Sequence, residues 1–287
     1  MWNLLVHLRL QFQAILAGIF IWAFALADGV FDARAWIAFV ALHVGLYGGV
    51  TAYNAFYDQD VGPVTGLRRP PRAGAACRWG GLAFIAAGAI AALWVGATFA
   101  AVYFMIALLG IGYSHPRVRF KRHPLASLGV VAIGQGALGY LAGAAAAVPR
   151  GLPPWSVALV CGGVAVVCFV TGLYPLSQVF QIEEDRARGD RTFAVRYGAG
   201  TVFRTTLVGF GLGTLFAVPA ARSLLHPIEV GLLLAALALL ALSIARWAGR
   251  YDPRACIANH DRVFAVGIVT SSSFLLLVLR HVLERGR

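Results

Sequence analysis

Three consecutive acids, Glu183, Glu184 and Asp185, with Asp190 just beyond, single out the stretch from Tyr174 to Gly198, YPLSQVFQIEEDRARGDRTFAVRYG. Four of the chain's twelve acidic residues fall here, directly after an apolar run that ends near Thr171. With the helix continued past Tyr174, helical spacing puts Gln178, Gln181 and Asp185 on one face, with Glu184 beside them. Such a face offers oxygen ligands at the mouth of a membrane helix. Arg186, Arg188, Arg191 and Arg196 interleave with the acids, so the segment could hold a metal through carboxylates and an anionic ligand through guanidinium groups.

A second stretch, Thr51 to Arg72, repeats that order. Asn54 and Asp58 are four apart and share a helical face, Asp60 follows, and Gly62 and Pro63 break the helix before Arg68, Arg69 and Arg72. Six of the twelve acids lie in these two segments. The bland reading is a pair of wet loops laced with salt bridges; the thin spread of the other six acids over the rest of the chain favours a site. The segment Tyr113 to Pro124, YSHPRVRFKRHP, holds the only lysine, Lys121, beside Arg117, Arg119 and Arg122. As a loop it fits membrane anchoring and a phosphate clamp equally well, with Arg119 and Lys121 favoured for the clamp.

Residues of this kind need a scaffold, and composition names it. The chain has 287 residues, 60% hydrophobic and 13% charged, with a mean hydropathy of +0.76. That is an integral membrane protein and not a soluble domain. At about 20 apolar residues per span, nine spans are expected, near residues 11–28, 35–53, 80–95, 97–113, 125–146, 155–175, 201–220, 228–247 and 263–282. With the N-terminus cytoplasmic, 18 of the 24 basic residues, Arg9 among them, fall on the cytoplasmic side. Arg34, Arg150, Arg222, Arg280, Arg285 and Arg287 fall on the other. This is a strong positive-inside bias, which orients the array in an inner or plasma membrane. The net charge of +12 therefore reads as topology and affinity for anionic lipid, and nucleic-acid binding is excluded because the cations are spread over several loops.

The remaining features read as structure. Cys77, Cys161, Cys168 and Cys256 suggest packing and no disulfide framework. His43, inside the second span, reads as a hydrogen-bonded packing residue. Gly134, Gly136 and Gly139 match a dinucleotide-binding pattern but lie within an apolar helix with no preceding strand, leaving Gln135 as a polar contact for a cavity. Asn259 and Asp261 read as helix caps. The motif-bearing ends of helices two and six suggest two four-helix halves with helix nine appended, all in a single membrane domain over residues 1–287.

The conjunction of these stretches resembles the UbiA superfamily of intramembrane prenyltransferases. NAFYDQDVG (Asn54 to Gly62) resembles the family's NDxxDxxxD, and QIEEDRARGDRTFAVRYG (Gln181 to Gly198) its DxxxDxxxGxxTxAVRxG. Arg69-Pro70 and YSHPRVRFK fall on the family's RP pair and YSxPxxRxK loop. The resemblance implies an all-α fold of nine helices around a central cavity capped by cytoplasmic loops. It implies Mg²⁺-dependent transfer of a prenyl group from an isoprenyl diphosphate to an aromatic or lipophilic acceptor. Asn54, Asp58 and Asp185 would hold Mg²⁺ and diphosphate as the catalytic set; Arg69, Arg119, Lys121 and Gln181 would face the diphosphate. The family's last aspartate of the first motif is Gly62 here, and the first aspartate of the second is Gln181, with Asp60 and Glu184 as substitute metal ligands. Tyr53, Phe56, Tyr57, Tyr174 and Phe180 are the aromatic faces nearest in sequence for an allylic cation. Cyclisation or hydrolysis of the diphosphate, or non-catalytic isoprenoid binding, are the alternatives.

Overall fold

The computed structural model describes residues 1–285; Gly286 and Arg287, and the side chains of Glu284 and Arg285, lie outside what it describes. Among the described residues, nine helices are long and apolar enough to cross a membrane: α1 Trp2–Leu26, α2 Ala33–Asp58, α3 Ala75–Val95, α4 Ala97–Ser114, α5 Pro124–Ala147, α6 Val157–Leu176, α7 Phe193–Leu224, α8 Pro227–Ala248 and α9 Cys256–Leu283. Helix is the form such sequences must take in lipid, because it satisfies every backbone group internally. The ends are set by ordinary signals. Asp32 and Ser156 accept from the N–H groups of Ala35 and Leu159, Pro124 and Pro227 open α5 and α8, and Gly96, at φ 146°, is the whole turn between α3 and α4.

Several helices outrun the apolar stretches that signal them. Helix α2 continues to Asp58 and α9 begins at Cys256, each several residues beyond the expected span; the helical stretch that leads α7 from Phe193 is set off from the span by a kink at Gly198. Hydropathy marks where lipid contact ends, whereas backbone hydrogen bonding carries the helix on into the polar cap. Helix α6 ends with its apolar run. It stops at Leu176, and a turn leads into a short helix, Ile182–Ala187. Gln178, Gln181 and Asp185 therefore do not share one continuous helical face, as the spacing suggests.

Packing follows membrane rules. Large apolar side chains such as Ile90, Leu108, Leu239 and Leu276 face outward, and helices meet where side chains are small. Glycines 45 and 49 of α2 lie against Gly88 and Gly81 of α3, and Gly172 of α6 against Gly209 of α7. Hydroxyls fasten neighbours together: Tyr103 donates to the Ile85 carbonyl at 2.7 Å, Thr206 to Gly172 at 3.0 Å and Ser271 to Ala14 at 3.1 Å. At the end remote from the motifs, Arg34 donates to the carbonyls of Val95, Ala146 and Ala145, closing the exposed ends of α3 and α5.

Regular helix is interrupted at four places, one of them Gly198 of α7, at φ 76° and ψ 161°. Helix α1 is broken into Trp2–His7 and Leu10–Leu26, with Arg9 at φ 49° between them. Helices α2 and α5 each carry a π-helical segment, Ala41–Gly48 and Ala132–Leu138.

Candidate active site

Two hollows share a wall at the motif-bearing end of the bundle. The upper one, about 130 Å³, is polar and is lined by Asn54, Asp58, Asp60, Lys121, Gln178, Gln181, Asp185, Arg188 and Thr192. The lower one, about 290 Å³, is apolar, and its lining includes Phe12, Ile19, Trp22, Tyr47, Leu109, Val131, Phe169 and Phe274. Arg9, Asn54, Thr65, Tyr113, Tyr174 and Ser177 belong to both. A ligand with a charged head and a greasy tail is the shape such a pair accepts.

The polar chamber is built from the ends of α2 and α6 and the loop after α4. Asp58 closes the last turn of α2, and Lys121 of the 3₁₀ turn Phe120–Arg122 pairs with it. Asn54, one turn earlier, accepts from the Ser114 hydroxyl at the end of α4. From the second motif, Arg188 reaches across both: 2.5 Å to Asp60, 2.7 Å to Asp185 and 3.5 Å to Asp190. It also donates to the Asp58 carbonyl at 2.8 Å. Asp190, only 1% exposed, gathers Arg119 at 3.1 Å, and Lys121 and Arg122 at 3.6 Å each. Buried carboxylates are tolerable only with such partners.

The electrostatics follow from that burial. Burial raises the Asp185 carboxyl to about 6, against the pull of Arg188, Lys121 and the Thr192 hydroxyl, which donates at 3.1 Å. Burial also works to raise Asp190, but Arg119, Lys121 and Arg188 outweigh it and hold its carboxyl below the usual range. For Arg188 burial favours the neutral form, and Asp60, Asp58 and Asp185 override it, holding the guanidinium firmly charged. Three carboxylates (Asp58, Asp60, Asp185) and three cations (Arg9, Lys121, Arg188) line the chamber, so its formal charge balances.

Of the residues singled out by motif, Asn54, Asp58, Asp60, Gln181, Asp185 and Lys121 come together on this chamber. Arg119 lies behind it, buried on Asp190. Two stand apart. Arg69 is exposed and lines neither hollow. Glu184 points its carboxylate away from the chamber to the backbone N–H groups of Val61 at 2.8 Å and Gly62 at 3.2 Å.

Sequence reasoning misplaced other residues. Arg9 reads as a loop anchor but is buried, lines both hollows and, among the described residues, makes no side-chain hydrogen bond or ion pair, with its Nε unpartnered. A cation heading an apolar run carries no signal that separates the two roles. Among the expected aromatics only Tyr174 lines the hollows, its hydroxyl 2.8 Å from that of Tyr113. Tyr53, Phe56 and Tyr57 form their own cluster, with Arg78 over the Phe56 and Tyr57 rings, and Phe180 packs on His260. Asn259 and Asp261 are not caps, because α9 starts at Cys256. Asn259 is buried between the Trp247 indole and the Asp252 carbonyl, and Asp261 pairs with Arg68 at 2.8 Å. His43 is packed on Phe39 with ring centres 4.2 Å apart.

As a donor set, hard oxygens on two helix ends fit a Mg²⁺ ion that arrives with phosphate. Among the described residues no three acids, histidines or cysteines converge closely enough to cage a metal unaided. Mg²⁺ commonly takes one or two carboxylates and completes its shell with water and phosphate oxygen, which is what this chamber can offer.

A model of the UbiA prenyltransferase family matches residues 16–268. No curated protein matches the sequence significantly. Among solved structures, a UbiA homolog from Aeropyrum pernix K1 shares 22% identity, with a TM-score of 0.65 over 92% of this chain and 97% of that one. A UbiA homolog from Archaeoglobus fulgidus bound to DMAPP and Mg²⁺ shares 17%, with a TM-score of 0.63 over 94% and 99%. A structure of digeranylgeranylglyceryl phosphate synthase shares 13%, with a TM-score of 0.64 over 98% and 100%.

Proposed function

The chain belongs to the UbiA prenyltransferase family, and from that premise we propose that it transfers a prenyl group from an isoprenyl diphosphate to a lipophilic acceptor inside the membrane. One observation carries the reading: a charge-balanced polar chamber lies directly against a larger apolar one, with six lining residues in common. The diphosphate head belongs in the first and the prenyl tail in the second. The Archaeoglobus homolog, bound to DMAPP and Mg²⁺, supports that assignment.

Asn54, Asp58, Asp60 and Asp185 would hold Mg²⁺, with Gln181 beside them; when bound, the ion neutralises negative charge on the diphosphate. The remaining work falls to the chain. Lys121 and Arg188, paired here with Asp58 and Asp185, exchange those carboxylates for phosphate oxygens, and the unpaired Arg9 adds a third donor. Arg119 acts at one remove, holding Asp190 and through it the Lys121 and Arg188 side chains. These fixed cations favour departure of diphosphate with the electron pair of the allylic C–O bond. The apolar chamber keeps water from the allylic cation, and the rings of Tyr113 and Tyr174 stand at the junction where it forms, each ring contributing about 0.5–2 kcal/mol. The acceptor supplies the electrons of the new bond and gives up a proton. The positive-inside bias supports a polar chamber on the cytoplasmic side.

The test is diphosphate release by purified protein in nanodiscs with geranyl diphosphate, Mg²⁺ and a range of lipophilic acceptors. Release should stop with chelator and fall by about 100-fold or more in Asp58→Asn and Asp185→Asn, the scale expected for removing a group that stabilises the leaving charge. No release with any acceptor sinks the proposal; release without an alkylated acceptor turns it into cyclisation or hydrolysis.

A further inference from the structure

The two π-helical segments each turn a polar side chain into the apolar chamber. Tyr47 sits in the first, Ala41–Gly48, and Gln135 in the second, Ala132–Leu138; both line the lower hollow. Such segments occur disproportionately at functional sites. Tyr47 is buried, at 6% exposure. Among the described residues neither its hydroxyl nor the Gln135 amide has a hydrogen-bond partner. Neighbouring hydroxyls on the same wall are spent internally: Thr51 on the His7 and Gly48 carbonyls, Thr270 on Val266 and Ser271 on Ala14. A polar group left over in an apolar hollow is costly unless something else bonds it.

The two groups line the same hollow from facing helices. A Cβ on Gly139 would lie 2.6 Å from the Tyr47 hydroxyl, so that hydroxyl rests on α5 one turn beyond Gln135. This accounts for the glycine at 139, in a pattern that mimics a nucleotide fingerprint. Tyr47 lies seven residues before Asn54, about 10 Å deeper along the helix. The surroundings at this depth are apolar: the same Gly139 position touches Ile19 at 3.8 Å, and the Gly134 position touches Leu109 at 3.7 Å. Arg9 is the one charged side chain among the described residues lining this chamber, and it sits at the polar junction.

We propose that Tyr47 and Gln135 form a recognition site for an uncharged oxygen function, a hydroxyl or carbonyl, on a lipophilic ring. Phenolic hydroxyl and carboxamide each donate and accept, so together they complement a ligand hydroxyl in both directions. A carboxylate or phosphate at this depth would be buried without a counter-ion, which excludes acidic ligands. The inference rests on the prenyl-transfer reading only in calling this ligand the acceptor. A ring gripped here presents its opposite edge towards the junction, where the donor's allylic carbon would lie.

The probes are 2-naphthol and its methyl ether, 2-methoxynaphthalene, titrated into full-length protein in nanodiscs. The naphthol should bind about tenfold more tightly, the worth of about one good hydrogen bond. Tyr47→Phe and Gln135→Met should each reduce that preference about three- to tenfold and leave the ether's affinity unchanged. Equal affinity of the two probes in the unmodified protein, binding of neither, or an unaltered preference in both variants overturns the site. The unmodified protein decides alone where a variant fails to fold. Binding of geranyl diphosphate with Mg²⁺, measured in the same preparation, tests the prenyl-transfer reading separately: its absence sinks that reading and leaves the naphthol preference standing.

Discussion

Residue 62 and residue 184 exclude one another. The Glu184 carboxylate accepts from the N–H groups of Val61 and Gly62, and a Cβ on residue 62 would come within 2.5 Å of its Oε2. The glycine where the family motif has aspartate and the glutamate in the second motif are therefore one device, a carboxylate that clips the two motifs together outside the chamber. Gly62→Ala should lower stability or donor affinity by about 1–2 kcal/mol, and Glu184→Ala by about 1.5 kcal/mol through loss of its charge-assisted bonds. The double variant should be no worse than Glu184→Ala alone, because the clash has gone with the carboxylate. Thermal unfolding and donor binding across the four proteins measure this; strictly additive losses would mean that the clip is incidental. None of this was readable from spacing, which makes Glu184 a neighbour of the metal face and says nothing of where a backbone N–H from another motif will lie.

The element that roofs the chamber is the loop from Gln59 to Ala73. It is sewn down from several sides: Gln59 donates to the Ala73 carbonyl at 2.8 Å, Gln11 of α1 to Gly66 at 2.7 Å, and His260 of α9 lies 3.0 Å from the Val64 carbonyl. Arg68 and Asp261 add an ion pair with side chains 67% and 36% exposed. Exposed pairs of this sort contribute about 0–1 kcal/mol, so Arg68→Ala should leave the loop in place. His260→Ala removes a buried partner and should loosen it. Amide hydrogen exchange over residues 62–68 would then rise markedly in the histidine variant and barely in the arginine variant; the reverse order would move control of the roof to its outer rim. At this scale the sequence was only half legible. Asn54 and Asp58 share a face because α2 runs on to Asp58, as their spacing implies. Gln178, Gln181 and Asp185 reach the same chamber by a different route, since α6 ends at Leu176 and a turn and a short helix do the positioning. Apolar periodicity cannot reveal such a break, because Val179 and Phe180 within it are buried and apolar just as a continuing helix would have them.

For the whole molecule, the number and order of the spans could be read from hydropathy, since about 20 apolar residues admit no other structure in lipid. Which cations anchor and which do chemistry could not. Arg9, Arg119 and Lys121 counted towards the charge bias, yet all three are buried. The bias survives without them, and it fixes a prediction: in a background lacking the native cysteines, Arg117→Cys should react with an impermeant thiol reagent only from the cytoplasmic face, and Arg150→Cys only from the opposite face. The reverse pattern would invert the protein and put its chamber on the wrong side for a cytoplasmic substrate. The common wall between the two hollows carries a further consequence. On the proposed reading a donor's tail and the body of an acceptor share this one apolar hollow of about 290 Å³, so each isoprene unit added to one is room withdrawn from the other. The protein then behaves as a gauge of combined size, favouring long chains joined to slim partners or short chains joined to bulky ones.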